Sequence, residues 1–217
     1  MSYKHCIINY ADDRGNYTKG QQRLANSLRD MKYQGDVLLF QNHTQLPGCR
    51  PHSEVPYGFK THAIKHAMDK GFDVVLYLDA SIWAVKDLMP CLNYIHQVGH
   101  LMEKTGHSLA QWCNDYSLGV FGLTREQAAD YTLFSAGFTG LNLSNPRTRE
   151  FFLKWHEYSV QGSTFKGDWK DHRHDQCSGA FLAKSLGIEI TNPRFMQYFY
   201  NDNPGIKEES IFLAQGL

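Results

Sequence analysis

Apolar and polar positions follow two rhythms along this chain. Short apolar runs over residues 4–11, 36–40 and 72–78 read as strands, and the stretches between them carry helical spacing. Leu24, Ala25, Leu28 and Met31 share one face of a helix predicted over 20–32. Ala63, Ile64, Ala67 and Met68 do the same after Pro56, and Gly71 is placed to close that helix. The run Phe72 and Val74 to Leu78 is nearly all apolar, as a central parallel strand buried on both faces requires. It stops at Asp79-Ala80-Ser81, where the chain turns into a polar loop.

Further along, Leu88, Leu92, Ile95, Val98 and Leu101 predict one helix over 88–104, with Pro90 in its first turn. Residues 108–112 read as a strand, and Thr124 with Gln127 as a capping box before a short helix. Residues 141–143 read as a strand. Asn145-Pro146 then caps a helix running to about residue 160 that buries Phe151, Phe152, Trp155 and Tyr158. A polar loop over 161–174 leads to a helix opened by Asp175-Gln176 and closed by Gly187. Residues 188–190 read as a last strand. The aromatic tail 192–205 is expected either to lie over a cleft or to pad the core. Strands alternating with helices, with no repeat or linker, predict one α/β domain whose mainly parallel central sheet is flanked by helices.

Composition narrows the function classes. The 42% hydrophobic and 20% charged content is that of an ordinary globular protein. Lys plus Arg (22) equals Asp plus Glu (22), which gives no basis for a nucleic-acid groove or an anionic membrane surface. No apolar run approaches the ~20 residues that span a bilayer. The first residues reach Asp12 and Asp13 too soon for a secretory signal. The five cysteines are scattered without CxxC or Cys/His zinc spacing, which predicts reduced thiols and a cytoplasmic location.

The candidate chemistry centres on Asp79, a carboxylate at the C-terminal end of a buried strand, where open α/β sheets bind ligands. The loop 12–16 after the first strand is either a nucleotide contact or a surface turn, and the Arg14 guanidinium in it suits a diphosphate. Lys60 is placed to reach a phosphate, Asp79 or solvent. No GxxxxGK[ST], GxGxxG or GxSxG motif is present, so no glycine-rich phosphate cradle exists. A divalent cation is the alternative, and the Asp79 carboxylate with the Ser81 hydroxyl suits Mg²⁺ or Mn²⁺ arriving with a nucleotide. Gly137 and Gly140 permit close approach of a ligand to the backbone. Asp175 is either a helix N-cap or a reacting carboxylate. His172 and His174 are either a solvated basic turn, acceptor contacts or a third metal ligand. Trp169 and Tyr198 either stack on a sugar ring or pack.

LYLDAS after an apolar strand, AGFTGLNLSN before a helix and HDQ opening a later helix together resemble a GT-A fold, nucleotide-sugar-dependent glycosyltransferase. The resemblance spans residues 3–193. More narrowly, the chain resembles chlorovirus glycosyltransferase domains implicated in glycosylating a major capsid protein. It implies one GT-A (Rossmann-like) domain, a nucleotide-binding half over about 1–105 and an acceptor-side half over about 106–217, and it leaves open a place within a longer protein. It implies a UDP-sugar donor, a glycan or glycoprotein acceptor, a Mn²⁺ or Mg²⁺ cofactor and, for a viral protein, the host cytoplasm.

Carried over by residue, Asp79 matches the first Asp of the metal-binding DxD motif, and Ser81 replaces the second. Asn9, Tyr10 and Arg14 match the nucleoside and diphosphate region. Lys60, Gly137, Thr139 and Gly140 match positions facing the donor. Asp175 matches the late carboxylate that faces the reacting sugar. His172, His174 and Trp169 fall on the acceptor side. In an inverting enzyme Asp175 is the general base; in a retaining one it stabilises or positions the donor sugar. His172 and His174, close in sequence, tilt the reading towards inversion by tuning Asp175. A non-catalytic nucleotide- or carbohydrate-binding module with a decayed metal site is the competing class, kept open by Ser81. A nucleotidyltransferase is disfavoured because residues 12–16 hold a single glycine.

Overall fold

The computed structural model describes residues 3–199 and 205–216, so residues 200–204 of the aromatic tail lie outside the described part. The strands are β1 (His5–Tyr10), β2 (Asp36–Phe40), β3 (Val74–Leu78), β4 (Ile82–Ala84), β5 (His100–Ser108), β6 (Thr132–Asn142), β7 (Met196–Tyr198) and β8 (Phe212–Ala214). The helices are α1 (Tyr17–Asp30), α2 (Phe59–Asp69), α3 (Met89–Val98), α4 (Leu109–Trp112), α5 (Asp115–Phe121), α6 (Pro146–Gln161) and α7 (His174–Ser185).

The main sheet has the order β2-β1-β3-β6-β5. β1 is parallel to β2 and β3, while β6 is antiparallel to both β3 and β5, so β6 alone runs against the rest. A second, three-stranded sheet has the order β4-β8-β7. On one face of the main sheet α2, α6 and α7 pack through Ala63, Ile64, Phe151, Phe152, Trp155 and Ala183 against Val75 and Tyr77. On the other face α1 and α3 pack Leu24, Leu28, Leu92 and Ile95 against Ile7, Leu76 and Leu78. β3 is therefore buried along its whole length, as its apolar run requires. No helix among the described residues is long and apolar enough to cross a membrane.

Several elements fall where the spacing places them. Asn145 Oδ1 accepts from the amides of Arg147 and Thr148, capping α6 with Pro146 at its start. The Thr124 amide donates to Gln127 Oε1 at 2.9 Å and the Gln127 amide to Thr124 Oγ1 at 3.2 Å, closing the capping box. Other elements differ. The helix expected over 88–104 stops at Val98, because Gly99 takes a left-handed φ of +99°. A β-carbon there would also come within 3.0 Å of Asn145 Nδ2. The chain then reverses into β5. Residues 108–112 end β5 and form α4, where Gln111 Oε1 accepts from the Ser108 amide. β6 extends over eleven residues instead of the three expected. Residues 82–84, expected in a loop, pair as β4 with β8. Residues 188–190 form no strand; the neighbouring Thr191 makes a single bridge to Glu103.

Candidate active site

Because β1 and β3 are parallel neighbours, Tyr10 and Asp79 emerge at the same edge of the sheet. A cavity of about 580 Å³ opens there, lined by Tyr10, Asp12, Arg14, His52, Tyr57, Asp79, Ser81 and Trp169. A second hollow of about 650 Å³ shares Tyr10, Asp12, Arg14 and His52 and continues to Gln41 and His43. The Asp79 amide donates to Gly137 O at 2.8 Å, and the Ile82 amide to Asp79 O at 3.0 Å, so the backbone turns as soon as the carboxylate is placed. Gly137 leaves the room for it: a β-carbon at 137 would stand 2.2 Å from Asp79 Oδ2.

Lys60, in the first turn of α2, lies buried behind the Asp79 wall of the cavity. Its side chain is buried, with Nζ 3.2 Å from Asp79 Oδ1 and 3.1 Å from Asp175 Oδ2. Burial by itself would lower the Lys60 pKa, but the Asp175 and Asp79 carboxylates outweigh it and hold it above its ordinary value. Asp175 is 4% exposed, whereas the Asp79 side chain is 38% exposed and open to the cavity. Trp155 Nε1 donates to Asp175 O at 3.0 Å and anchors the start of α7 beneath the site. Asp175 thus pairs with a lysine and does not cap its helix.

The rim is polar and pre-paired. Arg14 grips Asp12 with Nε at 2.9 Å and Nη2 at 2.7 Å, and its Nη1 lies 3.2 Å from His52 Nδ1. Burial, with Arg14 beside it, lowers the His52 pKa to about 4. Tyr10 stacks on Phe59 at 4.1 Å, and burial with Asp12 nearby pushes its hydroxyl up to about 12. His52 and Tyr57 are cavity residues that sequence reasoning did not assign to the site, and Asp12 entered it only as part of the loop 12–16. Tyr57, with φ +63°, lies beside Lys60 in sequence and places its ring 5.3 Å from Lys60 Nζ.

Asp79 and Ser81 bring hard oxygen donors to one cavity wall, which fits a hard cation that carries phosphate oxygens with it. Among the described residues no group of three acidic or imidazole side chains gathers around them.

The other expected site residues divide. Trp169 is half-exposed and lines the cavity. Asn9 is fully buried; its amide donates to Leu78 O at 2.7 Å and accepts from Gln21 at 2.8 Å, tying strand ends together with no surface for a nucleoside. Thr139 is buried within the sheet. Gly140 backs onto Ile95 and Leu101, on the face opposite Asp79. His174 is buried, with Nε2 2.9 Å from Gly167 O and its ring 5.5 Å from that of Tyr57. His172 has no exposed surface for an acceptor, and its Nε2 lies 2.7 Å from Thr164 O. Neither imidazole is the partner of Asp175; Lys60 is. Tyr198 lines a larger cavity of about 860 Å³ together with Lys104, Trp112, Arg173 and Gln176. Arg173 stacks over both Trp112 (4.4 Å) and Trp169 (5.5 Å), so this stack stands between the two cavities.

No protein-family model and no curated protein matches the sequence. Solved structures do match in fold. Mouse xyloside xylosyltransferase 1, in its apo form, aligns over 98% of this chain and 97% of its own at a TM-score of 0.58 and 10% identity. The galactosyltransferase LgtC, solved with donor and acceptor sugar analogs, aligns over 97% of this chain and 86% of its own at a TM-score of 0.53 and 14% identity. The chain has the mixed α/β architecture, with a mainly parallel central sheet between helices, of GT-A glycosyltransferases.

Proposed function

We propose that this chain is a glycosyltransferase that moves a hexosyl or deoxyhexosyl unit from a UDP-sugar to a glycan or glycoprotein acceptor, as a viral capsid glycan would be. The observation that carries the reading is the Asp79–Lys60–Asp175 chain, whose exposed end, Asp79, lines the cavity formed where β1 and β3 end while Lys60 and Asp175 lie buried behind it. Two proteins with this fold are named as sugar transferases. The nucleotide half is about 1–105 and the acceptor-side half about 106–217.

In this reading Tyr10 and Arg14 face the nucleoside diphosphate, and Trp169 covers the donor. Asp79 and Ser81 would hold Mn²⁺ or Mg²⁺ together with phosphate oxygens, and that bound cation would supply positive charge to offset the charge growing on the leaving diphosphate. Lys60 supplies a second, fixed positive charge and orients both carboxylates. Asp175 faces the reacting sugar. In an inverting reaction it accepts the acceptor hydroxyl proton while the oxygen bonds to the anomeric carbon. The carbon–diphosphate bond breaks, and its electron pair leaves on UDP. The acceptor comes from the cavity beyond the Trp169–Arg173–Trp112 stack, beside Gln176. A reducing compartment, the cytoplasm of a host cell for a viral protein, suits the free thiols.

One observation favours a second reading, a binding module without turnover: Ser81 stands where a second carboxylate is expected, and Lys60 already balances Asp79. UDP release from a panel of UDP-sugars, with Mn²⁺ and mixed glycan acceptors, separates the two. The transferase reading expects release by the wild type and a loss of roughly 10²–10⁴-fold in Asp175→Asn with UDP affinity little changed. UDP binding without release for any donor and acceptor would favour the module.

A further inference from the structure

Away from the cavity, three side chains from separate segments converge in the interior. Cys113 follows α4, His172 ends the loop before α7, and Cys177 lies in the first turns of α7. Their candidate ligand atoms all lie within 4.8 Å of one another, and none of the three residues is more than 1% exposed. Three ligand atoms on one zinc-like ion stand roughly 3.5–4.0 Å apart, given tetrahedral or trigonal angles and metal–sulfur distances of about 2.3 Å. A pair at the 4.8 Å limit would have to close by roughly 1 Å for all three to ligate one ion, a shift within reach of small side-chain rotations.

The hydrogen bonding around His172 selects the same chemistry. Nε2 faces the Thr164 carbonyl at 2.7 Å, and a carbonyl only accepts, so Nε2 carries the proton. Nδ1 is then an unprotonated acceptor that takes a long hydrogen bond of 3.4 Å from the Asn114 amide, and the Cys113 thiol bonds to the same ring. A ring whose one nitrogen donates to a backbone carbonyl, which leaves the other an acceptor, is the arrangement that orients a metal-bound histidine. The set is soft: two sulfurs and an imidazole, with no carboxylate. It suits zinc or copper(I), not the hard cation of the Asp79 wall.

We propose that Cys113, His172 and Cys177 bind one thiophilic d¹⁰ cation, Zn²⁺ or Cu⁺, as a structural site. The ion would join α4, the Thr164 turn and the start of α7. It would thereby fix both ends of the loop that carries Trp169 over the cavity and the turn that presents Asp175. This assignment rests on the cluster alone and holds whether or not the chain transfers sugars.

The test uses the full chain. Metal content is measured after purification under reducing conditions. Metal-free protein is then titrated separately with Zn²⁺, Cu⁺ and Co²⁺, the last read by thiolate-to-cobalt charge-transfer absorption. The proposal expects one ion per chain, a thiolate–cobalt band displaced by Zn²⁺ or Cu⁺, and slower reaction of two thiols with a thiol reagent once metal is added. The stronger competitor identifies the ion. Cys113→Ser should weaken binding by at least about tenfold, and Cys49→Ser, at a cysteine outside the cluster, should leave it unchanged. If Cys113→Ser does not fold, the thiol-protection measurement on the wild type decides alone. Metal-free protein that shows no thiolate–cobalt band and no thiol protection would overturn the proposal. So would a Cys113–Cys177 disulfide found by mass spectrometry in the reduced preparation.

Discussion

Lys60 sits between two carboxylates that are far apart in sequence, and removing it isolates both. Lys60→Met should destabilise the fold by about 3–5 kcal/mol, the range for breaking a buried ion pair. Adding Asp175→Asn should recover part of that loss, because an uncompensated buried charge is removed; urea unfolding of the three variants checks this. At Gly137 even one methyl group matters. Gly137→Ala places a β-carbon 2.2 Å from Asp79 Oδ2, so the carboxylate must move. Nucleotide binding should fall by tenfold or more by calorimetry while the far-UV spectrum is preserved. Asp79 was legible in the sequence because an apolar run ends on it. Its pairing with Lys60 was one of three options, and the link onward to Asp175 was not legible, since it depends on α7 packing against β6 and α6, which brings its first turn behind Asp79. Gly137 and Gly140 look equivalent in the sequence, but they are three residues apart on a strand of period two and so face opposite ways. His172 sits in a polar-looking HRH triplet yet is buried, because a neutral imidazole with a carbonyl partner costs little to enclose.

At the level of elements, the spacing from Leu88 to Leu101 shows how a helical period misleads. Ile95 from α3 and Leu101 from β5 pack into the same apolar cluster, so both positions are apolar although the backbone changes between them. Gly99 makes the change possible. Gly99→Ala should cost about 1–2 kcal/mol, from its left-handed φ and the Asn145 contact, with a matching fall in the urea midpoint. An unchanged midpoint would show that the turn tolerates a side chain. α6 was legible to within a residue because its cap is local: Asn145 and Pro146 satisfy the first turn without help from the rest of the chain. β4 was not, because its partner β8 lies over a hundred residues away and three residues carry no period.

For the whole molecule, acid should be destabilising well before the carboxylates titrate. Burial lowers the His52 pKa to about 4, with Arg14 adding to it, and the His156 pKa to about 4, with His62 adding to it. His62, His100 and His174 are also lowered, by burial first. An unfolded chain protonates these rings near pH 6.5, so it binds more protons than the folded form between about 4 and 6.5, and stability falls as pH drops through that window. Glu103, raised by burial to about 7, acts in the opposite sense between about 4.5 and 7 but is one group against several. Thermal midpoints from pH 7.5 to 4.5 should therefore fall, by a few kcal/mol of stability in all; a flat profile would mean that the buried rings charge without cost. The alternation of strands and helices fixed this α/β architecture in advance, whereas the cavities arise from parallel strand ends meeting loops, which no local pattern encodes. The most direct test of the central claim is calorimetric titration with UDP, with and without Mn²⁺, of the wild type and Asp79→Asn. The account predicts binding that tightens with Mn²⁺ in the wild type and loses that Mn²⁺ dependence in Asp79→Asn. Absence of UDP binding in the wild type under either condition would contradict it.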